Sequence, residues 1–191
     1  MKKPILPIDT MFAWDEARDN HHGVEPIFTS DEIVACVGSL ADRLVQWFET
    51  EPVANVIMNG SLMFAADLTR AMSARGMVME MDFMTMKKDR RAGTVDILTA
   101  SERPVKGRDV LVIDDIYESG RTITLARQHF EALGAQSVTF VVLLDKSNGR
   151  PVLDKPDFTG FKCPDIFVIG YGMDIGFRYR ELPFIGRLGQ A

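Results

Sequence analysis

Residues 110–122 read VLVIDDIYESGRT, and this stretch decides the fold. Val110 to Ile113 is an apolar run of the kind buried on both faces of a parallel sheet. Asp114 and Asp115 stand at its carboxyl end, and Ser119-Gly120-Arg121-Thr122 makes a short turn before a helix. In an open α/β sheet, ligands bind beyond the carboxyl ends of the strands. Backbone N–H groups at the start of a helix form an anion site. Two acids beside such a turn suit a ligand that carries both a diol and a phosphate, as a ribose phosphate does. An ordinary strand–turn–helix rarely sets three acids ahead of Ser-Gly-x-Thr.

The same alternation of strand and helix continues on either side. Upstream, Thr29 and Glu32 have capping-box spacing. Ile33, Val37, Leu40, Leu44 and Trp47 recur at helical intervals, which predicts a helix with one buried face, closed off by Pro52. Residues 53–58 read as a strand, 59–61 as a turn and 62–74 as a helix. From 77 to 84, Met77, Met79, Met81 and Phe83 alternate with Glu80 and Asp82, a strand period with the apolar set on one face. Residues 87–93 form a charged, Gly-ended loop, 94–98 a strand and 104–108 a turn. Downstream, Ile123, Ala126, Phe130 and Leu133 mark the apolar face of a helix over about 122–133, with Gly134 as its C-cap. Residues 137–144 read as a strand, 145–165 as loop and 166–169 as a short strand. Residues 1–28, broken by Pro4, Pro7, Gly23 and Pro26, read as irregular.

A length of 191 residues suits one domain, and 46% hydrophobic residues suffice for a core. No apolar run reaches the roughly 18 residues that span a bilayer. The N-terminus, MKKPILPIDTMF, does not read as a signal peptide. A net charge of −5 offers no basic field for nucleic acid. Cys36 and Cys163 lack metal-ligand spacing and are expected as buried thiols in a reducing cytoplasm. His21-His22 has no nearby third ligand and reads as a surface pair. The partners expected are small molecules, with no nucleic acid and no membrane.

Residues 114–122 resemble the 5-phosphoribosyl-1-diphosphate (PRPP) motif of the type I phosphoribosyltransferases. That motif is a hydrophobic strand, two acids, two spacers, then acid, Ser/Thr, Gly, any residue and Thr. LLDKSNGR at 143–150, KPDFTGFKCPDIFVIGYGMD at 155–174 and FRYRELPFIG at 177–186 are similar to the hypoxanthine–guanine branch of the family. The likeness runs through most of residues 30–187. It implies an α/β fold, a mainly parallel sheet with helices on both faces. It also implies one domain over 1–191, with a core at about 30–165 and a small hood from about 1–28 and 166–191.

The resemblance further assigns roles. Asp114 and Asp115 take the ribose hydroxyls, and Ser119, Gly120, Arg121 and Thr122 cradle the 5′-phosphate. Glu118, within the same PRPP motif, is the catalytic acid/base near purine N7. Asn59, Gly60 and Arg180 meet pyrophosphate. Lys146 donates to the purine 6-oxo group, Phe167 stacks on the base, and the Val168 backbone reads its Watson–Crick edge. Asp174, at the purine end, holds magnesium through water, and Asp114 and Asp115 share that metal region. The implied reaction makes IMP or GMP and pyrophosphate from PRPP and a 6-oxopurine, with Mg2+, in a cytoplasmic homodimer or homotetramer. The runner-up is a regulatory member of the fold that binds PRPP or nucleotide with little turnover. Three positions depart from the family pattern. Glu118 stands where aspartate is usual, Asn59 where a basic residue is common, and the segment 84–93, in the place of a closing lid, lacks the usual Ser-Tyr.

Overall fold

In a computed structural model that describes residues 23–89 and 94–189, the chain forms a six-stranded sheet flanked by helices and a separate two-stranded sheet. The elements in order are β1 (Val24–Phe28), α1 (Ser30–Trp47), β2 (Val53–Met58), α2 (Leu62–Ser73), β3 (Glu80–Asp89), β4 (Thr94–Thr99), β5 (Asp109–Tyr117), α3 (Arg121–Ala132), β6 (Ser137–Asp145), β7 (Phe158–Lys162) and β8 (Ile185–Leu188). The main sheet has the order β4-β3-β2-β5-β6-β7. Only the β3–β4 pair is antiparallel. β1 pairs antiparallel with β8.

The strands alternate between two cores. Ala54, Val56, Leu111, Ile113, Val141 and Leu143 face α1 and α2. Val53, Ile57, Val110, Val112, Phe140 and Val142 face α3 through Ile123, Ala126 and Phe130. Fully burying one such side chain contributes roughly 1.5–3 kcal/mol, so both faces must be covered, as they are.

α1 begins as its sequence requires. The Thr29 N–H donates to Glu32 Oε2 at 2.8 Å and the Glu32 N–H donates to Thr29 Oγ1 at 3.3 Å, a reciprocal capping box. The Thr29 backbone first, then its hydroxyl, holds the Glu32 carboxyl below its ordinary range. The stabilisation is therefore present above the usual glutamate range and is lost as pH falls through the lowered value. Thr29→Ala should cost about 1 kcal/mol in urea unfolding near neutral pH, the usual worth of an N-cap side chain.

Several local expectations are corrected. Residues 24–28 are strand, because their partner is β8 at the far end of the chain. Trp47 is 58% exposed; its Nε1 donates to Thr139 Oγ1 and its ring lies edge-on to Phe158. α1 ends there, before Pro52. In β3 the apolar face is reversed. Met77 and Met79 pack in the core as expected, but Met81 and Phe83 are exposed and Met84 is buried, while Asp82 accepts from Ser101 Oγ, Glu102 N and Arg103 N. The expected charged loop after Met84 is instead strand as far as Asp89, paired with β4, while residues 90–93 lie outside the described residues. β7 stands within the segment read as loop, and 166–169 contributes only an isolated bridge, Ile169 to Gly186. Leu133 is the C-cap of α3 and is exposed, with Gly134 following at φ +81°. His21-His22 also lies outside the described residues.

Candidate active site

The sheet divides at its centre. β2 leads through α2 to β3 on one side, and β5 leads through α3 to β6 on the other. Such a reversal of strand order opens a crevice at the carboxyl ends. Here β2 and β5 stop pairing after Val56 and Ile113, whereas β5 stays paired with β6 as far as Tyr117 and Asp145. Asp114 and Asp115 follow where the two strands part. β5 is thus longer than the apolar run suggests, and both acids are held within it. Asp114 is 3% exposed, and its Oδ1 accepts the Asp115 N–H at 2.9 Å. Asp115 Oδ1 accepts the Ile116 N–H at 2.7 Å. Asp115 also lies so close to the loop after β2 that a Cβ on Gly60 would stand 1.8 Å from its Oδ2.

Beyond β5 the chain turns through Glu118 and Ser119 into α3. Gly120 is the N-cap residue at φ +79°. The first amides of an α-helix have no intrahelical acceptor, and the helix dipole adds partial positive charge there. The Ser119 carbonyl accepts the Leu153 N–H at 3.0 Å, which ties this cradle to the loop after β6. Thr122 is 8% exposed, while Ser119 and Arg121 are exposed.

Lys146 follows β6 and is 6% exposed. Its Nζ donates to the Ile166 carbonyl at 2.6 Å and lies 3.7 Å from Glu118 Oε1. Phe167 is 54% exposed, an unusual state for a phenylalanine, and it lines the cleft. Val168 is buried. One cleft of about 640 Å³ is lined by Asp114, Asp115, Glu118, residues 119–122, Lys146 and Phe167. A second, of about 330 Å³, is lined by Asn59, Gly60, Asp114, Asp115, Phe167, Val168, Asp174 and Arg180. Asp114, Asp115, Ile116 and Phe167 belong to both, so the two adjoin.

Arg180 and Asp174 meet each other, with Nη2 to Oδ1 at 2.7 Å, and Arg180 Nη1 donates to the Gly172 carbonyl at 2.6 Å. Asp174 Oδ2 accepts the Phe177 N–H at 2.7 Å. The three residues expected at the metal, Asp114, Asp115 and Asp174, share the smaller pocket. Among the described residues no three acidic, histidine or cysteine side chains are gathered closely enough to hold an ion unaided. At Asp174 both oxygens are engaged, one by Arg180 and one by the Phe177 N–H. An all-oxygen wall of this kind fits an ion of the magnesium type, which keeps several waters and takes its other ligands from substrate phosphates. Cys36 and Cys163 are free, and burial pushes both thiols up.

Every expected site residue therefore lines one of the two adjoining pockets. Sequence reasoning missed Arg150 and Asp165, which form an ion pair and both line the larger cleft. Their signal was present, since both fall inside the stretches that resemble the family. It also missed Thr94 and Val95, which β4, paired antiparallel with β3, brings to the cleft.

A phosphoribosyl transferase domain family matches residues 24–175. A hypoxanthine-guanine phosphoribosyltransferase of Bacillus subtilis is 39% identical over 176 residues, covering 89% of this chain and 96% of that one. The enzyme of the same name from Lactococcus lactis is 36% identical over 86% of this chain and 91% of its own. The crystal structure of a hypoxanthine phosphoribosyltransferase from Staphylococcus aureus superposes with a TM-score of 0.79 at 32% identity, covering 88% of this chain and 94% of that one. With a β2–β5 crevice, a helix-start cradle and this extent of likeness, the chain belongs to the phosphoribosyltransferase family.

Proposed function

We propose that this chain transfers the 5-phosphoribosyl group of PRPP to hypoxanthine or guanine, giving IMP or GMP and pyrophosphate. The observation that carries the reading is that one cleft holds both the anion cradle 119–122 and a buried lysine ammonium, with Asp114 and Asp115 among its walls. The cradle takes the 5′-phosphate through the amides that open α3. Asp114 and Asp115 take the ribose 2′- and 3′-hydroxyls. Lys146 offers a donor and no acceptor, which matches a 6-oxo group and rejects a 6-amino group. Phe167 stacks on the base, and the Val168 backbone meets its edge.

In the reaction, purine N9 bonds to ribose C1 as the C1–O bond to pyrophosphate breaks, and the proton on the base leaves. Arg180 and the Asn59–Gly60 loop receive the leaving pyrophosphate. Glu118 takes the N7 proton. Asp114 and Asp115, with Asp174 through water, would hold magnesium, which supplies charge neutralisation at the diphosphate. The regulatory reading has nothing among the named relatives to favour it, since they are transferases. Family likeness further suggests a homodimer or homotetramer working in the cytoplasm. No helix among the described residues is long and apolar enough to cross a membrane.

The test is nucleotide formation by the purified protein from Mg-PRPP with adenine, hypoxanthine, guanine and xanthine in turn. IMP and GMP should form and AMP should not. Adenine turnover at a rate comparable to hypoxanthine would overturn the reading. Lys146→Ala should weaken GMP binding by about 1.5–3 kcal/mol, the usual worth of a hydrogen bond to a charged group. Calorimetry that finds GMP affinity unchanged would remove Lys146 from the purine end.

A further inference from the structure

One buried contact lies outside the pockets yet bears on how they are assembled. The hydroxyl of Tyr171 donates to Asp67 Oδ2 on α2 at 2.7 Å, and Tyr171 is 7% exposed. The other oxygen of Asp67 pairs with Arg70 one turn along the helix. Neither Tyr171 nor Asp67 lines the two site pockets.

What the contact anchors is the next residue. Gly172 sits at φ +98° directly over the loop after β2, and a Cβ there would lie 2.0 Å from the Gly60 carbonyl oxygen. The Gly172 N–H donates to the Arg180 carbonyl at 2.9 Å, and its own carbonyl accepts from Arg180 Nη1 at 2.6 Å. The Asn59–Gly60 loop and Arg180, which supply two walls of the smaller pocket, therefore meet at Gly172. Local preference does not hold this backbone in place. Gly170, Tyr171 and Gly172 run consecutively through positive φ, at +94°, +47° and +98°, and a tyrosine adopts that region only under outside constraint. Two long-range bonds constrain it: the Tyr171 N–H donates to the Leu182 carbonyl at 2.8 Å, and its hydroxyl reaches α2, whose first turn follows directly on the Asn59–Gly60–Ser61 loop. Burial, and then the neighbouring Asp67 carboxylate, raises the Tyr171 hydroxyl far above its ordinary range, so it remains a donor at any working pH.

We propose that Tyr171 and Asp67 are positioning residues for the pyrophosphate end of the site: their hydrogen bond clamps Gly172 onto Gly60 and so fixes Arg180 and the Asn59–Gly60 loop at one spacing. The inference rests on the reading of the smaller pocket as the pyrophosphate site, and the test separates the two. Tyr171→Phe removes the donor and keeps the ring. Asp67→Ala removes the acceptor, and Asp67→Asn keeps one. Binding of Mg-pyrophosphate is measured by calorimetry, and KM for PRPP and for hypoxanthine by steady-state assay, with melting temperature recorded for each variant.

Tyr171→Phe and Asp67→Ala should each weaken Mg-pyrophosphate binding and raise KM for PRPP about tenfold, with KM for hypoxanthine within about twofold of the parent. Asp67→Asn should stay close to the parent, and the double variant Tyr171→Phe/Asp67→Ala should be no worse than either single one. Unchanged pyrophosphate affinity in the first two variants would overturn the clamp. So would an equal rise in both KM values, or an Asp67→Asn variant as impaired as Asp67→Ala. A parent protein that binds no Mg-pyrophosphate would instead overturn the assignment of the pocket. Should Tyr171→Phe fail to fold, the comparison of the two Asp67 variants decides the matter.

Discussion

Gly120→Val should abolish PRPP binding while leaving a folded protein. Gly120 is the N-cap residue of α3 at φ +79°, a region that L side chains rarely adopt. A Cβ there would lie 2.3 Å from the Asp154 carbonyl oxygen and 2.6 Å from its nitrogen. Both neighbours are backbone and cannot rotate aside. They are also held: Asp154 Oδ2 accepts from Arg127 Nε at 3.0 Å, and the Leu153 N–H is bonded to Ser119. The added carbons must push the 119–122 turn away from the 150–155 loop, and the amides at the start of α3 lose their common aim. Two or more charge-assisted hydrogen bonds to a phosphate, each worth roughly 1.5–3 kcal/mol, are then lost together, which exceeds about a hundredfold in affinity. Calorimetry with Mg-PRPP measures the loss, and circular dichroism with a melting curve checks the fold. Gly120→Ala, which adds the single Cβ, should fall between. Parent-like PRPP affinity in both variants would show that the cradle is not the phosphate site.

That glycine also marks how far the sequence can be read. Its position in Ser-Gly-x-Thr is legible, and so is the need for an unusual backbone. The cause is not: the neighbour that forbids a side chain is the backbone of Asp154, brought in by folding, rather than the approach of a phosphate. The same division runs through the fold. α1 announces itself by Thr29, Glu32 and a buried stripe, and β2, β5 and β6 by apolar runs, because these signals are local. β1 carries Pro26 and mixed polarity and becomes strand only because β8 pairs with it. The face of β3 was misread because Asp82 looks like a solvent residue in an alternating pattern, yet it organises the 101–103 turn. At the site, contiguous motifs revealed the cradle, the acids and Lys146. The Tyr171–Asp67 bond joins distant segments and leaves no spacing to read, while Arg150 and Asp165 lie within the family-like stretches but carry no spacing that pairs them.

Glu118→Gln should lower kcat by about 10²–10⁴-fold, the usual contribution of a positioned acid or base, with little change in KM for PRPP. Glu118 leads out of β5 just ahead of the cradle, half exposed, with Oε1 3.7 Å from Lys146 Nζ. The lysine is fixed from the other side by the Ile166 carbonyl at 2.6 Å. Under the proposed function, a carboxylate and an ammonium held this way would address neighbouring atoms of one purine edge: the lysine the 6-oxo oxygen, the acid the N7 proton. Glutamate reaches one methylene further than the aspartate usual in the family, which brings its carboxylate within reach of Lys146. The amide keeps the size and hydrogen-bonding reach of the acid but cannot take a proton, so binding should survive while proton transfer does not. Lys146 retains Ile166 as a partner, so its placement does not depend on the charge at 118. Single-turnover kinetics separates the two effects: the variant should bind both substrates as the parent does and form IMP slowly. Glu118→Asp keeps the base at shorter reach and should retain activity within about tenfold of the parent, since only the geometry of proton transfer changes. Full kcat for Glu118→Gln would leave Glu118 with no part in the proton transfer.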